Sequence, residues 1–324
     1  MSSFVLPNRD LAGDLLRGGA VLYIVGYYHI QDVWLVGIPS PLAGWFARVA
    51  LALFCFLSAY FLSAKTIIKG GKDVLIFYRR RLLKIYPLYF LALVGFVALG
   101  LVDKNLFWPA ALLINTILNW NLLTLWFVSM VFLFYLITPL FLWRSSITKT
   151  CLLTLVFLVI LGLTKFFAHG IDPRFFPNLV AFAFGVLMTQ SPRLFNLVMQ
   201  PGPQVKSVCL FALVFLFALQ WQTLPHDKDW THMVCVLAWF GATLPWLMIT
   251  ARGLVKIFPA KSIEFLATAS FVLYLSHRII YHLGEQIWPA PSPLLRQFYY
   301  LVVLLPAALV ISFALQKAYL RLVK

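Results

Sequence analysis

Long apolar runs recur from one end of this 324-residue chain to the other, each ended by a short stretch that holds charges, prolines or glycines. A bilayer core about 30 Å thick is crossed by roughly 20 apolar residues in a helix. Inside it every backbone N–H and C=O must find a partner within the chain, which a helix provides. The runs therefore predict an all-α integral membrane protein. A soluble domain is excluded on composition: hydrophobic residues make up 62% of the chain and charged residues 11%, too few to cover a water-facing surface.

Reading the runs between charges and Pro/Gly breaks predicts a bundle of about ten transmembrane helices, at 11–36, 41–64, 86–103, 124–143, 150–168, 174–190, 206–222, 232–250, 262–284 and 295–318. They form a single multi-pass domain over residues 1–324. The first run continues into Tyr27, Tyr28 and His29 rather than into small residues, so it reads as a retained span and not as a removable signal. Residues 105–120 (NLFWPAALLINTILNW) carry Pro109 and three asparagines, which predicts a re-entrant or interfacial piece.

Loops held in the cytoplasm carry an excess of Lys and Arg. With the N-terminus inside, 19 of the 26 basic residues fall on that side: Arg9, Arg17, seven between Lys65 and Lys84, and ten in the later inside loops and the C-terminal end. Only Lys104, Arg174, Lys228 and Arg296 fall outside, and Arg48, Lys165 and Arg278 lie in spans or at their edges. Both termini are thus predicted to be cytoplasmic. The same bias accounts for most of the +16 net charge, so nucleic acid is not an expected partner, whereas membrane lipids are. Cys55, Cys151, Cys209 and Cys235 sit in apolar runs without a CxxC pair and point to no redox chemistry, and no metal is expected.

Ionisable groups within spans cost roughly 2.5–3.5 kcal/mol to insert and mark functional positions. Asp14 and Arg17, three apart, share a face of the first span. His29 follows twelve residues later, about 18 Å on at helical rise. It is either an interfacial histidine supported by Asp32 or a general base; Arg17 is either a topology anchor or a group that orients an anion. Seven basic residues against one aspartate in KTIIKGGKDVLIFYRRRLLKIYPLY, Lys65 to Tyr89, suit anionic headgroups or a polyanionic cofactor. Arg81 and Lys84 share a helix face from which both could grip phosphate. Trp126, Ser129 and Tyr135 stripe the fourth span, and Tyr274 and His277 face one way on the ninth, with Arg278 next to them in need of a partner.

Five of these segments, in order, resemble the membrane-bound acyltransferase-3 family. Its LDxLRG-like opening and later histidine match AGDLLRGGAVLYIVGYYH; its FFxxSGF-like segment matches LFCFLSAYFL around Ser58, with Ala59 in place of glycine. FYxRRLLRIYPLY matches FYRRRLLKIYPLY from Phe77 to Tyr89, the most specific of the five. LWFLSxExxFYLLxP matches Leu125 to Pro139, and SYSLYLxH matches Ser270 to His277. The fourth segment lacks the family's acidic residue, and Lys84 stands in for its second arginine. Eleven residues rather than ten separate Arg17 from His29, a turn of about 100° on an ideal helix unless a π-bulge absorbs it.

The resemblance implies an O-acyltransferase of the bacterial cytoplasmic (inner) membrane. It would move an acyl group, most often acetyl from cytoplasmic acetyl-CoA, to a hydroxyl of a cell-surface or lipid-linked glycan. In that scheme Arg80, Arg81 and Lys84 bind the CoA phosphates. His29 acts as base or acyl carrier, Arg17 assists it, and Ser58, Trp126, Tyr274 and His277 line a tunnel. The competing class is a transporter or flippase for a lipid-linked sugar using the same intramembrane His and Arg. The sequence shows no inverted repeat to favour it, and a basic segment suited to a phosphorylated donor stands against it.

Overall fold

A computed structural model describes residues 10–33, 40–118, 122–168, 171–222 and 230–323. Arg9, Lys228 and Lys324, used in the charge count, lie outside these residues, as does the side chain of Asp32. Among the described residues all regular structure is helical. In chain order the α-helices are α1 (Leu11–Gly26), α2 (Ser40–Lys65), α3 (Gly71–Ala98), α4 (Phe107–Ala111), α5 (Leu125–Leu142), α6 (Ile147–Ala168) and α7 (Phe175–Gln190). They continue as α8 (Pro192–Met199), α9 (Pro203–Gln222), α10 (Trp230–Leu254), α11 (Ala260–Ile287), α12 (Pro293–Phe298) and α13 (Leu305–Leu322), with a π-helical turn at Tyr299–Leu304 joining the last two.

Seven of these are long and apolar enough to cross a membrane: α2, α3, α5, α6, α10, α11 and the run from α12 through α13. An eighth is added if α8 and α9, bent by 65° at their junction, make one broken span. The two remaining expected spans are occupied by α1 and α7, sixteen residues each. At 1.5 Å per residue these reach about 24 Å, short of the roughly 30 Å core. Apolar side chains such as Leu152, Leu155, Val159 and Phe166 on α6, Phe211 on α9 and Val310 on α13 are exposed. A soluble surface rarely offers that much contiguous apolar area, so lipid is the solvent for which this exterior is made.

The basic segment is where sequence and structure part most clearly. The third span was expected to start near residue 86, entered by a helix that carries Arg81 and Lys84; α3 starts earlier, at Gly71, and runs unbroken through Pro87. Asp73 makes that start by accepting hydrogen bonds from the backbone N–H of Lys69 (2.8 Å) and Gly70 (3.2 Å), which would otherwise be unsatisfied at the helix end. Arg79, Arg80, Arg81 and Lys84 thus project from a rigid helix.

The core is built on α1 packed between α2 and α11, with α7 against α2 and α13 against α11. Close approach needs small residues where apolar driving force between helices is weak, and Gly185 of α7 supplies it. A Cβ there would lie 2.3 Å from the Phe56 carbonyl oxygen of α2. After α3 the chain folds back along it: the hydroxyls of Tyr86 and Tyr89 donate to the carbonyls of Ala111 (3.0 Å) and Ala110 (2.8 Å). Those tyrosines stand twelve and nine residues before the end of α3, so the segment returns by about 14–18 Å. Residues 105–118, part of the piece expected to be re-entrant or interfacial, thus fold back against α3; Asn119 and Trp120 lie outside the described residues.

Candidate functional site

A cavity of about 500 Å³ opens among the start of α1, the second half of α2, the first half of α3, α5, the start of α11 and the end of α13. The beginning of the bundle's first helix and the end of its last therefore meet at one end of the molecule. Four cations, Arg17, Lys65, Arg81 and Lys84, line it against two carboxylates, Asp10 and Asp14, so its wall carries a positive excess. Asp10 caps α1 by accepting from the backbone N–H of Ala12 (3.1 Å) and Gly13 (3.3 Å). Asp14 accepts a 2.9 Å bond from an Arg17 terminal nitrogen, across the helix face that their i,i+3 spacing gives them. The Nε–H groups of both Arg17 and Arg81 are buried without a hydrogen-bond acceptor. Buried donors are normally paired, so these two are ready for an anion.

Helix periodicity sorts the basic residues of α3. Arg81 and Lys84 reach the cavity, with the Arg81 guanidinium lying over the rings of Phe77 (5.7 Å) and Tyr135 (5.8 Å). Arg80, one residue and about 100° away, is exposed and takes no part in the wall. Ser58 lines the cavity; Trp126, Tyr274 and His277 do not. Gln316 of α13 does line it, and its Oε1 is buried without a partner. Sequence reading passed over this glutamine because a polar residue near the end of the last span looks like a helix terminus.

His29 lies beyond the end of α1. The helix stops at Gly26, Tyr27 breaks it (φ −129°, ψ −68°), and a 3₁₀ turn over Tyr28–Val33 carries the histidine. The extra residue between Arg17 and His29 is thus taken up neither by a π-bulge nor by rotation along one continuous helix, because α1 ends before the histidine. Among the described residues the π-helical turn lies instead at Tyr299–Leu304. The turn brings His29 Nδ1 to 2.8 Å from Nε2 of His277, a residue 248 positions away on α11. His29 is half-buried and His277 fully buried. His277 Nδ1 in turn lies 3.1 Å and 3.0 Å from the carbonyl oxygens of Leu273 and Tyr274.

Residues 11–317 match the family model described as an acyltransferase domain, that of acyltransferase-3. The chain belongs to the acyltransferase-3 family. No curated protein and no solved structure matches it. As a member of this family with an exterior made for lipid, it is a multi-pass membrane acyltransferase.

The acyltransferase divides its candidate residues into two groups. Arg17, Ser58, Arg81 and Lys84 share the cavity; His29, Tyr274 and His277 form a second cluster deeper in the bundle. Ser270 is the link, since it lines the cavity and stands seven residues, about 10 Å along α11, from His277. Trp126 belongs to neither group. Its face is covered at 3.6 Å by the guanidinium of Arg174, whose Nε donates to Asp172 at 2.8 Å and 2.9 Å. That contact sits beside a strained turn in which β-branched Ile171 adopts φ +58°. Backbone bonds to the 105–118 segment hold it there: Ile171 N–H donates to Ile117 and Asp172 N–H to Thr116. Arg278 lies within Coulombic reach of both histidines.

Proposed function

We propose that this protein moves an acyl group, acetyl first among them, from cytoplasmic acyl-CoA to a hydroxyl of a cell-surface or lipid-linked glycan in the bacterial inner membrane. The reading includes the ten-pass arrangement, with α1 and α7 as the short members and the bent α8–α9 pair as one broken span, and assigns both termini and the cavity mouth to the cytoplasm. The observation that carries it is the convergence of Arg17, Arg81 and Lys84, from two helices, on one cavity with a positive excess. Planar guanidinium groups suit the bidentate recognition of phosphate, and the lysine adds a point charge. The donor's arm then has about 10 Å to cover between Ser270 and His277.

At the histidines, His29 takes the proton of the acceptor hydroxyl as its oxygen attacks the thioester carbonyl. The carbon–sulfur bond breaks, the CoA thiolate leaves, and His29 returns the proton to that sulfur. Acceptor and acyl-CoA thus become the acyl ester and free CoA. The positive charge of Arg278 lies within Coulombic reach of both rings. It stabilises negative charge as it develops on the carbonyl oxygen.

The test is turnover of radiolabelled acetyl-CoA by purified protein in nanodiscs, together with mass spectrometry of glycans and lipids from cells with and without the protein. One lost acetyl group identifies the acceptor. His29→Ala is expected to reach the membrane at normal levels and to transfer no acyl group. Full activity in that variant removes His29 from the chemistry, and a protein that leaves acetyl-CoA untouched while moving a lipid-linked sugar across the bilayer returns the reading to a flippase.

A further inference from the structure

The two rings of the histidine pair are parallel within 4° with centroids 5.0 Å apart, while their nearest nitrogens are 2.8 Å apart. A face-to-face stack would bring the centroids closer than that. The rings are coplanar and joined end to end by one N–H···N hydrogen bond. Which nitrogen donates follows from the third link. The carbonyl oxygens of Leu273 and Tyr274 can only accept, so His277 must carry its proton on Nδ1 and share it between them. A neutral imidazole protonated on Nδ1 has a lone pair on Nε2, so His29 Nδ1–H donates to it. The lone pair of His29 is then on Nε2, on the far side of the ring.

We infer that His277 is a positioning residue that holds His29 in the Nδ1–H tautomer, turns the basic Nε2 of His29 toward the reacting groups, and accepts charge through the shared hydrogen bond when His29 is protonated. The inference rests on the reading of His29 as base and deepens it. The arrangement parallels the carboxylate that orients the histidine of a catalytic triad, with a neutral imidazole anchored on two helix carbonyls in the carboxylate's place.

Packing on every side holds the pair in line. Tyr281 sets its ring against His277 (5.8 Å between centroids, 77°) and is itself backed by Tyr300 (5.0 Å) from the π-turn. The Tyr281 hydroxyl donates to the Val25 carbonyl at 3.4 Å, tying α11 to the end of α1. Tyr274 lies tilted against His277 on the same helix and Tyr28 against His29. Arg278 is the charged group among the described residues that reaches both rings. The tautomer argument describes the pair with both imidazoles neutral. π-turns recur at functional sites, and here one delivers the tyrosine that backs the relay.

Two variants and one spectrum test it. His277→Phe keeps a ring of similar shape but offers no acceptor; His277→Gln places an amide oxygen near the position of Nε2. In His277→Phe, kcat is expected to fall about 10²–10⁴-fold, the range of a lost general base. KM for acetyl-CoA should stay within about twofold, because the interaction is made to the base and not to the bound donor. An unchanged KM also shows that the variant is folded. His277→Gln is expected to recover at least about tenfold of that loss, since it restores only the acceptor. ¹⁵N NMR of histidine-labelled protein should show His29 protonated on Nδ1 and bare on Nε2, with the proton shifting to Nε2 in His277→Phe. A wild-type kcat in His277→Phe, no recovery in His277→Gln, or a wild-type His29 carrying its proton on Nε2 overturns the relay. An active His29→Ala variant overturns the base assignment and the catalytic role of the relay together but leaves the tautomer read in the wild-type spectrum standing, so the two failures are told apart.

Discussion

Removing the two α3 cations from the cavity, as Arg81→Ala/Lys84→Ala, should separate donor binding from lipid binding. Three residues apart on one helix face, they hold their Cβ atoms about 5–6 Å apart, close enough to serve one phosphate or two neighbouring ones. A charge-assisted hydrogen bond contributes about 1.5–3 kcal/mol. Both side chains line an open cavity and are partly screened, so the lower end applies to each. Together they account for about 3 kcal/mol, or roughly a hundredfold in Kd for CoA. Calorimetry of CoA binding to detergent-purified protein reads this directly, and the affinity of the intact protein should weaken with added salt. The matched control is Lys72→Ala/Arg79→Ala, which removes the same charge from the same helix at exposed positions outside the cavity wall and should leave the affinity within about twofold. A loss below about tenfold in the cavity variant, less than one such bond, refutes the docking argument. An equal loss in the control does the same, and shows that net charge at the membrane surface is what matters.

Gly185→Ala should destabilise the bundle by about 2 kcal/mol. Its Cβ would meet the Phe56 carbonyl oxygen at 2.3 Å, a backbone atom that cannot swing aside, and overpacking costs about 1–3 kcal/mol, more than the up to about 1 kcal/mol gained in helix propensity. A thermal midpoint in detergent at or above wild type contradicts this. Tyr89→Phe removes the bond to Ala110 and leaves that carbonyl without this donor, so about 1–3 kcal/mol should be lost. Faster hydrogen exchange confined to residues 105–118 is the measurement; unchanged exchange there means that the tyrosine does not anchor this segment.

The helical class was legible in the sequence because a bilayer admits little else for runs of this length, and a run of apolar residues is a local property. That residues 105–120 do not form a plain span was legible for a related reason, since Pro109 and three asparagines argue against one wherever they lie in a bundle. So was the face shared by Asp14 and Arg17, which needs only helical spacing. The start of α3 was missed: a dense basic stretch looks like a loop when charge is weighed and capping is not, and Asp73 was the available signal.

What the sequence by itself determined is the list of chemically capable residues, from Arg17 and His29 to Arg81, Lys84 and His277, and the solvent they must live in. Which of them work together was decided by the tertiary structure. Arg80 and Arg81 are neighbours in sequence, yet only Arg81 reaches the cavity, because the rotation of α3 is set by its packing. His29 and His277 are 248 residues apart and share a hydrogen bond, because α1 ends early and packs against α11. Spacing along one helix carries information over a few turns. Contact between helices depends on how whole faces fit, and no local pattern records that.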